Sequence, residues 1–162
     1  MARGGVTVRD LGWKKIKVAA KQLDGAGVKV GIRARDAGKQ NDGVDVIDVA
    51  VWNEWGVRDQ DGSVRTPARP FMRHTADTSD AAVRAVTARW AGMLLAGRMT
   101  VAQVLGSLGL WYADRIKDTV RNSRSWAEPN AASTVARKGS SVPLVDQGVL
   151  LGTIDWEHND KR

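Results

Sequence analysis

The 162-residue chain contains no cysteine, which excludes a disulfide scaffold, a thiolate zinc site and a cysteine nucleophile together. Histidine is scarce. His74 and His158 lie far apart in the sequence, and neither has a His or Glu at helical ligand spacing. A metal site needs three or four convergent ligands, so none is assigned, and both histidines are expected at the surface or in an interface. Long apolar runs are missing as well. The longest uncharged stretches, such as Met99–Tyr112, fall well short of the about 20 apolar residues that span a bilayer. The opening Met-Ala-Arg-Gly-Gly runs into charged sequence without the apolar core of a secretory leader. We expect a soluble chain that stays where it is made and has no membrane partner. There is no internal repeat and no low-complexity segment, so residues 1–162 read as a single domain with one core.

Charge is what the chain has in excess, and it is unevenly placed. The net charge is +7, but residues 1–40 carry +7, residues 41–64 carry −5, residues 65–139 carry +7 and residues 140–162 carry −2. A protein built only to coat nucleic acid does not need a dense acidic block between two basic ones. Alternating blocks suit a chain that docks in a fixed orientation against copies of itself or against partners. A solvated, mixed-sign surface accounts for the same pattern, and charge alone does not separate the two.

Periodicity gives the elements. Thr7-Val8-Arg9-Asp10 has the form of a capping box, and residues 8–23 follow as an amphipathic helix stopped by Asp24-Gly25-Ala26-Gly27. Val28, Val30, Ile32 and Ala34 alternate with Lys29, Gly31 and Arg33, the period-two pattern of a strand. Residues 35–43 read as a loop, and Val44 to Trp55 as a short helix ending at Gly56. Asp61-Gly62 marks a hairpin over residues 57–66, with so few apolar residues that it is expected to project as an exposed arm. Pro70 is placed to open the next helix. Val83, Val86, Trp90, Met93 and Leu94 define one helix face, and Val101 to Val120 continue the same spacing over five turns. Residues 122–143 are loop-rich with a helical turn near Ser133–Arg137, and Gly152–Glu157 alternates as a closing strand. The fold class expected is α+β: a small antiparallel sheet packed against about three main helices.

A catalytic inventory finds little. Asp45, Asp48 and Glu54 form a carboxylate group on the acidic segment, but Asp45 near a helix start suits the macrodipole and Asp48 falls on the exposed face. Gly139-Ser140-Ser141 lacks the preceding strand and following lysine of a phosphate loop. Gly106 and Gly109 are read as allowing close helix packing. No catalytic residue, cofactor or metal is assigned, and no enzyme is expected. Seven Trp stand against one Tyr and one Phe. Trp13, Trp90 and Trp111 fall on or beside apolar helix faces and are expected in the core. Trp52 and Trp55 flank a helix end where core and interface are equally plausible, and Trp126 lies near Arg121 and Arg124, the combination used to stack nucleic-acid bases.

Three stretches in a fixed order carry a more specific signal. Val49-Ala50-Val51-Trp52-Asn53-Glu54-Trp55-Gly56 resembles the A-x-x-N-E-(aromatic)-G segment of the neck and tail-completion proteins of tailed bacteriophages. Thr66-Pro67-Ala68-Arg69-Pro70-Phe71-Met72-Arg73 resembles their P-A-R-P-F segment. Residues 133–150, with Arg137-Lys138-Gly139-Ser140 and Pro143-Leu144-Val145-Asp146, resemble their R-K-G-S-x-x-P-L-(I/V)-D-T-G-x-L segment, and Ile154-Asp155-Trp156 fits the final strand. The motifs reach from residue 49 to residue 156, about two thirds of the chain. Gln147 replaces the usual Thr, and the insert Arg58–Arg65 is individual to this sequence.

The resemblance implies a virion structural protein of the head–tail junction, made in the host cytoplasm and built into the tail or neck. It implies partners among other phage neck and tail proteins, namely terminator, connector or stopper, and tail tube. It also implies a homo-oligomer, with a hexameric ring matching tail symmetry; a basic face turned toward DNA in the channel is a further hypothesis. The residues singled out for interface or fold-keeping roles are Asn53, Glu54, Trp55, Arg69, Phe71, Arg73, Arg137, Lys138 and Asp146. Asn53 and Glu54 can bond the backbone of the Pro-rich segment or of a neighbour. Arg69 between two prolines presents a bidentate guanidinium, Phe71 anchors the segment in the core, and Arg137-Lys138-Gly139 makes a basic loop. A basic nucleic-acid-binding accessory or assembly protein is the alternative, and a small enzyme using Asp45, Asp48 or Glu54 is a further one.

Overall fold

A computed structural model describes residues 12–41, 43–145 and 148–159. The capping box at Thr7–Asp10 and the motif residue Asp146 lie outside the described residues. Helix α1 (Trp13–Leu23) leads into strand β1 (Gly27–Ile32), and a 3₁₀ turn at Ala34–Asp36 precedes the short pair β2 (Gln40–Asn41) and β3 (Val44–Asp45). Helix α2 (Val46–Trp55) ends at Gly56, and β4 (Val57–Arg58) and β5 (Val64–Thr66) form the expected hairpin arm. Then come the two long helices α3 (Phe71–Leu95) and α4 (Val101–Arg121), the short helices α5 (Ala132–Lys138) and α6 (Val149–Thr153), and the closing strand β6 (Ile154–Asn159).

The fold is α+β, as the pattern predicts, but the strands do not merge into one sheet. Among the described residues they form three separate antiparallel pairs, β1–β6, β2–β3 and β4–β5. Residues 35–43, expected as loop, therefore contain a 3₁₀ turn and one strand of a small hairpin. The first and last described strands zip along their whole length, with Val30 opposite Trp156 and Ile32 opposite Ile154. Ala34 leaves the strand for the 3₁₀ turn. Pro70 is the residue before α3 and not its first residue, so Phe71 opens that helix.

Helix α4 lies across the β1–β6 pair and runs back along α3. Its start is fixed by a capping box: Thr100 Oγ1 accepts the Gln103 N–H, and the Gln103 side chain accepts the Thr100 N–H. Its buried residues Val104, Gly109, Ala113, Ile116 and Val120 follow helical spacing. Ile116, Val120 and Ala113 meet Phe71, Val46, Ala50, Leu144, Leu150 and Ile154 in the core. Gly109 serves a strand and not a helix. Its backbone lies under the Trp156 ring of β6, where an added Cβ would sit 2.5 Å from the indole. At Gly106 the same ring is 3.4 Å away. No helix among the described residues is long and apolar enough to cross a membrane.

The tryptophans divide differently from the sequence pattern. Trp13 is 63% exposed and is not core. Trp90 and Trp111 are half-buried. Trp126 stacks on His74 at 4.2 Å between ring centroids, and its indole N–H donates to the Thr119 carbonyl at 3.0 Å. One face of that ring is thus already covered within the chain. His158 is exposed, edge-on to Trp156.

Candidate functional site

The first two motif stretches fold against each other as one tie. Helix α3 starts after two prolines, and its first N–H groups have no carbonyl four residues back. Glu54, at the end of α2, supplies the acceptors. Its carboxylate takes the Met72 N–H at 3.0 Å and the Arg73 N–H at 3.1 Å. A carboxylate at a helix start also opposes the positive end of the macrodipole. Arg73 then reaches back, donating Nε to the same carboxylate at 3.1 Å and Nη2 to the Glu54 carbonyl at 2.6 Å. Its guanidinium lies 4.6 Å from the Trp55 ring centroid, a cation–π contact that holds the indole in place.

Neighbouring backbone completes the tie. The Arg69 N–H donates to the Asn53 carbonyl, and the Asn53 side-chain amide donates to Val49 within its own helix. Gly56 has φ +74°, and an added Cβ would lie 3.0 Å from the Ala68 nitrogen and the Thr66 carbonyl. Only glycine fits there. The N-E-W-G and P-A-R-P-F segments thus interlock backbone to backbone.

Arg69 does not present its guanidinium outward. It is only 6% exposed and donates Nε to the Glu128 carbonyl at 2.7 Å and Nη2 to the Pro129 carbonyl at 3.0 Å. Burial pulls its pKa below the ordinary arginine value, with the Glu128 charge acting the other way. The two-pronged donation expected from its position occurs, but inside the chain, fastening the 127–130 loop to the start of α3. Phe71 is fully buried, as expected of an anchor.

Arg137 and Lys138 form the last turn of α5 and not a loop, with Gly139 as the left-handed residue that ends the helix. Lys138 Nζ donates to the Pro143 carbonyl at 3.4 Å. Together with Arg65 and Arg69 these cations line a cavity of about 460 Å³ between α2, α5 and α6, which has no carboxylate among its described lining residues. Asp45 and Asp48 are not among the described residues lining the groove that Glu54 walls, and the Glu54 carboxylate is taken up by α3. The carboxyls of Asp36 and Asp61 are held below the ordinary value, Asp36 mainly by its hydrogen bond from Lys39 and Asp61 mainly by the Ser63 N–H. Among the described residues no group of His, Asp or Glu is placed to hold a metal ion.

No family model, curated protein or solved structure matches the chain. What remains is the surface that the tie leaves outside. Helix α2 turns Val46 and Ala50 into the core, while Ile47, Val51 and Trp55 run along its outer side at i, i+4 and i+8 with Trp52 beside them. Val51 is 46% exposed and Trp55 69%. Beneath this ridge, a groove of about 320 Å³ runs between α2, β1 and the first turn of α3, lined by Val30, Ile32, Met72 and Phe71, with Glu54 the one charged residue among the described residues of its wall. Reading Val44 to Trp55 as a short helix leaves open which of its apolar residues face outward. The signal was available: its apolar residues go all the way round, more than one buried face can cover.

Proposed function

We propose that this chain is a structural subunit of the head–tail junction of a tailed bacteriophage, acting by docking and not by catalysis. Its partners are copies of itself, in a ring for which the resemblance implies six, together with neighbouring neck and tail proteins. The observation that carries this reading is the outer face of α2. A helix that is apolar on both sides is normally buried on both sides, and contiguous exposed apolar surface marks an interaction site. The motif residues fit the same picture. Glu54, Arg69 and Phe71 are spent on holding α2 and α3 rigid against each other, which presents the ridge on a fixed scaffold.

The test is assembly without the chain. In a host infected by phage lacking it, filled heads and tails should accumulate unjoined, and supplying the protein in trans should restore joined particles. Normal yields of joined, infectious particles in its absence would overturn the reading.

A second reading has one observation in its favour, the cations around the α2–α5–α6 cavity. A nucleic-acid-binding accessory gives DNA affinity that falls steeply with salt, the slope reporting the phosphates neutralised. Substitution of Arg65, Arg137 and Lys138 to Gln should flatten that slope if the cavity mouth binds DNA.

A further inference from the structure

We propose that the groove under the α2 ridge receives helix α1 of the next copy, so that subunits join head to tail through these two elements. The inference rests on the docking reading above and names the surfaces that perform it.

Helix α1 is strongly two-sided in sequence, yet it has no buried residue. It touches its own chain along α4 and the α3–α4 turn. That contact leaves Trp13, Ala20 and Leu23 exposed on the apolar side, with Lys17 over the Trp13 ring. An amphipathic helix laid into an apolar groove is a recurrent docking mode, read out through residues spaced by three and four. The α2 groove is open and apolar, with Val30, Ile32, Phe71 and Met72 in its lining and Trp55 at its rim.

Charge selects the pairing. Helix α1 carries Lys14, Lys15, Lys17 and Lys21 and no carboxylate. Asp48 stands on the outer side of α2, while on the hairpin arm Asp59 and Asp61 are matched by Arg58 and Arg65. Two α1 helices facing each other would bring eight lysines together, and two α2 ridges would oppose their Asp48 carboxylates. A symmetric contact through either element is therefore penalised, and the unlike pair is favoured. Unlike patches joined head to tail close into a ring when the rotation permits.

The absence of native cysteine makes the test direct. Ala20→Cys and Val51→Cys are small substitutions at exposed positions. Under mild oxidation at high protein concentration, a mixture of the two single variants should form a disulfide-linked dimer. The double variant should form a ladder of covalent multimers, ending at the ring. Thr87→Cys paired with Val51→Cys should give neither. An oligomer detected by light scattering that gives no A20C–V51C product would overturn the inference but leave the docking reading standing. A cross-linked monomer of the double variant would show that the groove holds its own α1, which also overturns it. A monomer at every concentration with no cross-link would count against both.

Discussion

Glu54 joins two elements with one side chain, since it ends α2 and caps α3. Replacing a capping acceptor costs about 0.5–2 kcal/mol, and a partly buried, charge-assisted pair lies at the upper end. Glu54→Ala should therefore lower stability by about 2 kcal/mol, a fall of roughly 4–8 °C in thermal midpoint for a chain of this size, read by circular dichroism. Arg73→Ala should cost less, because the Arg73 side chain is half exposed and surface ion pairs contribute about 0–1 kcal/mol. Arg69 is a sharper case. Arg69→Met keeps the stem but leaves the Glu128 and Pro129 carbonyls without their donors, and charged hydrogen bonds contribute about 1.5–3 kcal/mol each. A loss of about 3 kcal/mol in urea unfolding is expected, and Arg69→Lys should recover little of it, since one ammonium does not reproduce the planar fork.

Among the elements, α4 shows how far periodicity reaches. Its length, register and apolar face are readable from Val101 to Val120 because a helix repeats its burial every three to four residues. What Gly109 does is not readable, because Trp156 reaches it from a strand far along the chain, and pairwise distance in the fold leaves no local mark. The same holds for the β1–β6 pairing, whose partners are non-local. The N-E-W-G and P-A-R-P-F stretches could be picked out as motifs, with Asn53 and Glu54 as partners for the Pro-rich backbone or for a neighbour, but not which of the two they hold; the structure spends them within the chain. The two glycines of α4 give a clean contrast. Gly109→Ala should destabilise by at least 1–3 kcal/mol, since its methyl meets the indole at 2.5 Å. Gly106→Ala has 3.4 Å of room and gains helix propensity of up to about 1 kcal/mol, so it should be neutral or stabilising in the same thermal melt.

For the molecule as a whole, the charge blocks read from the sequence acquire places: four lysines on α1, Asp48 on the outer side of α2, and cations around the α2–α5–α6 cavity. An exposed apolar ridge between such patches separates folding from assembly. Val51→Asp should leave the thermal midpoint nearly unchanged, since substitutions at exposed positions usually stay within about 0.5 kcal/mol, while reducing the oligomer mass seen by sedimentation. The decisive measurement is a cryo-electron-microscopy reconstruction of the intact particle at the head–tail junction. A ring of this chain there, with Val51 and Trp55 buried against the adjoining subunit, is the expected result. A junction fully accounted for by other proteins, with this chain absent or its α2 ridge open to solvent, would contradict it.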